Sequence, residues 1–382
     1  MNTLRIPSLH IVNYRGFSDL RINKCGRVNL LVGRNNVGKT SLLEALWLYT
    51  RRGDTRVMRE ILMGRDEDRL PIIEELDNVQ NASAALRHLF FGRPTMLSPG
   101  AAFRIGTVDD RALLNVAVEA YRMEMVEVEA TAMPRQRRVV VDADQYGMDD
   151  EIRLGLSIDF DSQFLLKQDF IRIFNDRPAY NILSENREYA TVMLPAGGLQ
   201  RNQIAAWRDR SIIGGKKQHV LRALQLILPD VEDFDLVESD GRPYISRTSK
   251  SERIPVVKLR SSDEFIALRS LGDGMSRLFA LALALVNAQD GVLLVDEIES
   301  GLHYSIQAEM WRFIIQLATT LNIQVFAATH SKDCITAFST ITKEHPEEGM
   351  LIRLGYKGDN LIAITFDEEE LAAATEQDIE VR

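Results

Sequence analysis

Cysteine is scarce in this chain: Cys25 and Cys334 are its only thiols. Two such distant residues form neither a disulfide framework nor a zinc-binding spacing, which points to a reducing, cytoplasmic setting. The six histidines never fall in H-x-x-x-H or H-N-H order, so metal-hydrolase and metal-nuclease chemistry finds no support. Long apolar runs are missing too. The longest, Leu278 to Val286, is too short to span a bilayer. The opening MNTLRIPSLH has no apolar stretch of the secretory kind, and no membrane association is expected. There is no basic excess, since the net charge is −9. The stretch from Asp367 to Arg382 supplies most of that, leaving the remainder only mildly acidic. A surface that coats nucleic acid is not predicted, although a local basic patch is compatible with the balance. Heptads, internal repeats and low-complexity tracts are absent, which excludes long coiled-coil arms.

What is present is ordinary globular composition, 45% hydrophobic and 26% charged over 382 residues. That length allows one elaborated domain or two to three smaller ones. The stretch Gly33-Arg34-Asn35-Asn36-Val37-Gly38-Lys39-Thr40-Ser41 organises the rest. It fits G-x-x-x-x-G-K-[ST], the phosphate-binding loop. Val28 to Val32 reads as a buried strand entering the loop, and Thr40 to Leu48 as a helix leaving it. Glycines permit a turn whose amides converge on phosphate oxygens, and the helix N-terminus adds partial positive charge. Lys39 is expected on the β- and γ-phosphates of ATP, and Thr40 on Mg²⁺. The competing reading, a chance glycine-rich turn, is disfavoured by the flanks.

A second set of residues lies far downstream. Val292 to Val295 reads as a buried strand ending in Asp296-Glu297. Asp296 would hold Mg²⁺ through its water shell, and Glu297 would polarise an attacking water. Two solvated acids at a strand end would look the same in isolation. His330 follows another apolar strand, at the carboxyl end where ligands of parallel sheets bind. It is placed either to contact the γ-phosphate or simply to fill a turn. Leu271-Gly272-Asp273-Gly274-Met275 precedes a helix expected from Ser276 to Asn287. The glycines suit backbone approach to an anion, whereas Asp273 suits a helix cap.

The fold class expected is α/β, with a mixed sheet and flanking helices. Residues 1–55 and 262–366 form the core lobes. Residues 56–261 form an inserted α+β region, β-rich at about 101–185 and helical at about 200–230. An acidic helix or tail occupies 367–382. Helices are expected at Val57 to Met63, Asn81 to Phe91 (capped by Asn81 or Ser83), Arg201 to Arg208 and His219 to Leu228. Strands are expected at Leu9 to Tyr14, Leu20 to Ile22, Arg138 to Val141, Pro243 to Ser246 and Pro255 to Leu259. Leu351 to Leu354 and Asn360 to Phe366 read as edge strands.

Read in order, NYRGF (13–17), GRNNVGKTS (33–41), SLGDGMSR (270–277), LLVDEIESGLH (293–303) and ATHS (328–331) resemble a known family. It is the ABC-type ATPase head of structural-maintenance-of-chromosomes (SMC) proteins, and within it the overcoming-lysogenization-defect (OLD) type of bacterial ATPase. The resemblance implies an ABC-type P-loop head. Leu271 to Met275 would be its signature, closing in trans over nucleotide held by a second copy. Glu299 to His303 would be its dimer-contact loop. ATP would then join two chains through composite sites and be hydrolysed by Glu297, His330 and Lys39. Gly272 stands where the family usually has serine, which implies a slow ATPase. No glutamine marks the metal-sensing loop; Gln80 and Gln136 are the candidates.

The family's full architecture carries a Toprim nuclease. The chain continues only about 50 residues past His330, and none is expected within it. Asp142/Asp144, Asp159/Asp161 and Asp233/Asp235 have nuclease-like D-x-D spacing but lack the required context. The expected role is therefore an ATP-dependent homodimeric switch for a separately encoded effector, a nuclease or toxin, in antiphage defence. The alternative is an SMC-like ATPase that repairs DNA or binds its ends, with Arg135, Arg137, Arg138, Lys216 and Lys217 as modest basic spots. A transporter subunit is disfavoured by the NYRGF start, the insertion and the altered signature.

Overall fold

The computed structural model describes residues 4–68, 78–109, 112–126, 135–141, 152–174, 189–238 and 253–376. The chain opens with β1 (Leu9–Tyr14), β2 (Phe17–Ile22) and β3 (Val28–Val32), followed by α1 (Lys39–Thr50), α2 (Thr55–Met63) and α3 (Asn78–Leu86). Next come β4 (Ala102–Gly106), β5 (Leu113–Val126), β6 (Arg135–Val140), β7 (Arg153–Phe160), β8 (Gln163–Asp169), α4 (Phe170–Phe174) and β9 (Thr191–Leu194). The middle closes with α5 (Arg201–Ile213), α6 (Lys217–Gln225), β10 (Val231–Glu238), β11 (Arg253–Leu259) and β12 (Phe265–Ala267). The last part holds α7 (Asp273–Asn287), β13 (Val292–Val295), α8 (Tyr304–Thr320) and β14 (Gln324–Ala328). It continues through α9 (Lys332–Glu344), β15 (Gly349–Lys357), β16 (Asn360–Phe366) and α10 (Glu368–Glu376).

Two large sheets carry the architecture. One runs β16-β15-β3-β14-β13-β9. It is parallel from β15 to β9, with β16 antiparallel at its edge. The other is antiparallel, β2-β1-β4-β5-β7-β8, with β6 also paired to β5. A small sheet, β10-β11-β12, stands apart from both.

The parallel sheet is buried on both faces, so its strands are largely apolar rather than alternating. All five residues of β3 are buried. Side chains alternate across a strand, and two cores result. Val28, Leu30, Val32, Leu293, Val295, Val325 and Ala327 face a core containing residues of α6 to α9. Leu31, Leu294, Phe326 and Ala328 face a second core shared with α1 to α3 and the antiparallel sheet. Helix α1 packs into this second core and is buried at nine of its twelve residues, Lys39, Ser41 and Glu44 among them. Two buried amides pin the centre. Asn29 bonds Gly26 and Val325, and Gln324 bonds Ile6 and Gly26.

The fold class is as expected; several local expectations are corrected. Strand β9 lies within the span assigned to the insertion, yet it pairs with β13 inside the core sheet. Conversely β1 and β2, assigned to the core lobe, belong to the sheet built mainly from that span. β15 is internal, pairing with β3 as well as β16. Helix α3 begins at Asn78, so neither Asn81 nor Ser83 caps it, and the chain turns extended by Phe90. β6 starts at Arg135, three residues before the strand expected from Arg138. Helix α7 begins at Asp273; Gly272 is its cap and Asp273 occupies its first turn. There an acid complements the helix dipole. The strand expected at Pro243 to Ser246 and the Asp142/Asp144 pair lie outside the described residues, as does the tail after residue 376.

Candidate functional site

The phosphate loop emerges from β3 at the carboxyl edge of the parallel sheet. Gly33 has φ 142°, and a Cβ there would lie 2.5 Å from the Leu354 carbonyl oxygen on β15. Only glycine suits such a conformation beside a neighbouring backbone. Asn36 (φ 62°) and Gly38 (φ 105°) complete the wrap. Gly38 caps α1 without a side-chain hydrogen bond, and no acid stands in the helix's first turn. The first amides of α1 and their partial positive charge are thus left for an anion. Lys39 is buried, and its amine donates to the Gly33 carbonyl at 2.7 Å and the Arg34 carbonyl at 3.0 Å.

The Thr40 hydroxyl donates to Asp296 Oδ2 at 2.9 Å. This bond joins motifs 256 positions apart, because β14 alone separates β3 from β13. Above it opens a cavity of about 980 Å³. Asn35 to Ser41 form its floor, with Glu297, Glu299 and His330 also lining it. Glu297 has φ 47°, a left-handed conformation uncommon for a non-glycine residue. The His330 amide donates to Glu299 Oε1 at 2.9 Å. Gly33, Arg34 and Asp296 are not part of the lining.

The remaining wall was not foreseen from the sequence. Arg15 and Gly16 enter from the β1–β2 turn, Arg65 from beyond α2, Phe91 to Arg93 from the loop before β4, and Tyr356 and Leu361 from the β15–β16 hairpin. Arg15 is buried, with Nε 2.8 Å from Glu44 Oε2 and its two terminal nitrogens each 3.0 Å from the Glu67 carboxylate. Arg65 donates to Glu44 Oε1 at 2.7 Å and to Ser41 Oγ at 3.2 Å. Burial pushes up the Glu44 carboxyl, while Arg15 and Arg65 pull it back down. The ion pairs fix two guanidinium groups at the cavity wall, their charges balanced by Glu44 and Glu67. NYRGF contains Arg15, but its spacing gave no hint of Glu44 or Glu67. Glu299, expected in a dimer-contact loop, also lines the cavity.

Leu271 to Met275 are not brought to this cavity. They adjoin the turn after β13, where a Cβ on Gly274 would lie 2.9 Å from the Gly301 carbonyl oxygen. Gly272 and Asp273 are exposed. His303 caps α8, accepting from the Ser305 amide. Gln80 lies in α3 and is not part of the lining. Asp233 and Asp235 are paired with Lys217 and Arg208, so this D-x-D is occupied by ion pairs. No group of three or more His, Cys, Asp or Glu residues forms a metal centre among the described residues. Likewise, no described helix is long and apolar enough to cross a membrane.

The oxygen donors present suit one hard cation. A hydroxyl and a carboxylate in contact, beside a phosphate cradle, match the way Mg²⁺ is held with few protein ligands and the substrate's phosphates.

Two family models match parts of the chain. Residues 5–130 match "AAA ATPase domain", and residues 205–333 match "AAA domain, putative AbiEii toxin, Type IV TA system". A curated Helicobacter pylori protein named "ATP/GTP phosphatase" is 21% identical over 96% of this chain and 99% of its own length. The DNA replication and repair protein RecF of Clostridioides difficile is 40% identical over 47 residues, 12% of this chain and 13% of its own. Among solved structures, an SMC head bound to the C-terminal winged-helix domain of ScpA superposes with TM-score 0.50 at 12% identity. It covers 96% of this chain and 99% of that one. The chain thus has the α/β fold of an SMC-type head, and two stretches of it match AAA ATPase models.

Proposed function

We propose that this chain is a slow Mg²⁺-dependent ATPase of OLD-like character that dimerises on ATP and switches a separately encoded effector. The observation that carries the reading is the convergence of Lys39, Thr40–Asp296, Glu297 and His330 on one cavity. ATP lies with its phosphates along Asn35 to Ser41. Lys39 offsets charge on the β- and γ-phosphates, and Thr40 with Asp296 holds Mg²⁺. The ion supplies charge neutralisation on the phosphate oxygens. Glu297 orients a water in line with the γ-phosphorus and accepts its proton. The water oxygen bonds to phosphorus as the bond to the ADP oxygen breaks. His330, held through its amide by Glu299, contacts the γ-phosphate.

The signature residues, remote from this cavity in their own chain, then act on a second copy. The relative named "ATP/GTP phosphatase" supports nucleotide hydrolysis and makes GTP a substrate to test beside ATP. The toxin-system description of the 205–333 match supports a defence setting.

Glu297→Gln tests both parts. Turnover should fall about 100-fold or more, while ATP drives the variant from monomer to dimer in light scattering. A variant that stays monomeric with saturating ATP would end the composite-site model. One hydrolysing at the wild-type rate would end the assignment of Glu297. The local RecF likeness supports the DNA-binding alternative, although Lys216 and Lys217 are engaged with Val286 and Asp233. Salt-sensitive DNA binding that requires ATP would favour it.

A further inference from the structure

Arg277 sits one turn into α7, the helix that begins at the signature. It is 6% exposed. Its guanidinium donates to three carbonyls: Pro195 at 3.0 Å just past β9, Asp296 at 2.5 Å and Glu297 at 2.8 Å just past β13. Leu194 already accepts from the Asp296 amide, and the Glu297 carbonyl also accepts from Ser300. The backbone that sets the direction of the Glu297 side chain is therefore fastened from three sides. Glu297 needs such fastening, because its φ of 47° is uphill for a residue with a Cβ.

Stability alone gives little reason for this residue. A buried cation is expensive to desolvate, and a well-packed apolar side chain often serves a core as well or better. What an apolar side chain lacks is a planar fork that binds several carbonyls at fixed angles. The three bonds end on the two residues that follow β13 and on the residue that follows β9 beside it.

We propose that Arg277 is a positioning residue for Glu297, tying the helix that carries Leu271 to Met275 to the water-polarising carboxylate of the same chain. The inference rests on the ATPase reading given above. Arg277 is not part of the cavity lining. It holds Glu297 in its left-handed conformation, so displacement of the first turn of α7 is transmitted to the carboxylate.

The test compares Arg277→Met and Arg277→Lys, each alone and combined with Glu297→Gln. Single-turnover release of labelled phosphate is read alongside affinity for a fluorescent ATP analogue. Arg277→Met should lower the hydrolysis rate at least tenfold while the dissociation constant stays within twofold. Arg277→Lys, which reaches fewer carbonyls, should fall between it and the wild type. In the Glu297→Gln background neither substitution should slow release further, since the group it positions is gone. An unchanged rate, a proportional loss of affinity, or an equal fold-loss in both backgrounds would each overturn the proposal. If Arg277→Met fails to fold by circular dichroism, the Arg277→Lys pair of measurements decides by the same criteria. Wild-type turnover in Glu297→Gln alone would instead strike the underlying assignment, so the two failures are distinguishable.

Discussion

Replacing Gly33 with alanine should both weaken the fold and loosen the nucleotide. The added Cβ would stand 2.5 Å from the Leu354 carbonyl oxygen and 3.0 Å from Val37 Cγ1. Relief requires roughly 0.9 Å of movement to reach ordinary contact, in β15 or in the loop. A side chain held at φ 142° costs about 1–3 kcal/mol. Overpacking against a backbone costs a further ~1–3 kcal/mol. The total of about 2–6 kcal/mol is a large share of a typical folding stability. Guanidinium unfolding should show a lower midpoint at unchanged slope, and calorimetric titration should show ATP affinity reduced about tenfold or more. Gly355→Ala is the control. It lies one residue beyond Leu354, and an added Cβ would meet nothing within 4 Å. It should stay within about 0.5 kcal/mol of the wild type. If Gly33→Ala matches that control in both assays, the close approach of β15 does not constrain the loop.

Two further substitutions test the scaffold. Asp54 caps α2 through the Arg56 amide at 3.0 Å. Burial opposes its ionisation, but hydrogen bonds from Arg56 and the charges of Arg56 and Arg51 hold its carboxyl below the usual range. Its contribution is therefore full above the unfolded value of 3.8 and is lost as pH falls through the lower folded value. Asp54→Ala should cost about 1–2 kcal/mol at pH 7. The gap in urea midpoint should narrow at pH 3, and a gap that widens there would contradict this sign. Gln324, 2% exposed, accepts from the Ile6 amide and donates to the Ile6 and Gly26 carbonyls at 2.8–2.9 Å. Gln324→Leu strands the Ile6 amide and carbonyl, while Gly26 keeps its bond from Asn29, and should cost about 2–4 kcal/mol in the same assay. A loss under 1 kcal/mol would mean that they find other partners.

The parts legible in the sequence are those whose physics is local. The phosphate loop announces itself because glycine, lysine and hydroxyl must stand at fixed offsets between a strand and a helix. Asp296-Glu297 and His330 are legible as ends of largely apolar strands, the mark of a sheet covered on both faces. Strand β9 escaped because four residues before Pro195 give too short a period to recognise. Its strand nature depends on pairing with β13, a hundred positions on. Arg15, Arg65, Arg93, Phe91 and Tyr356 escaped for a different reason. They sit in turns and hairpins that only the stacking of the antiparallel sheet over α1 brings together, and no spacing encodes that. Arg277 was quoted within SLGDGMSR, yet nothing in that string says that its partners are carbonyls at 195, 296 and 297.

The position of β3 also governs when the molecule can exist during its synthesis. Its neighbours are β14 and β15, residues 324–328 and 349–357. The loop-bearing strand therefore leaves the ribosome almost three hundred residues before either neighbour. At about 5–20 residues per second, it waits on the order of 15–60 s. Through that interval an apolar strand has open edges on both sides, a state that invites mispairing. A chain broken off between Ser41 and β14 retains the entire phosphate-loop motif but lacks the strand that sets Asp296 beside Thr40. The Thr40–Asp296 contact is thus a property of molecules that extend through β14, and shorter fragments that carry the motif lack it.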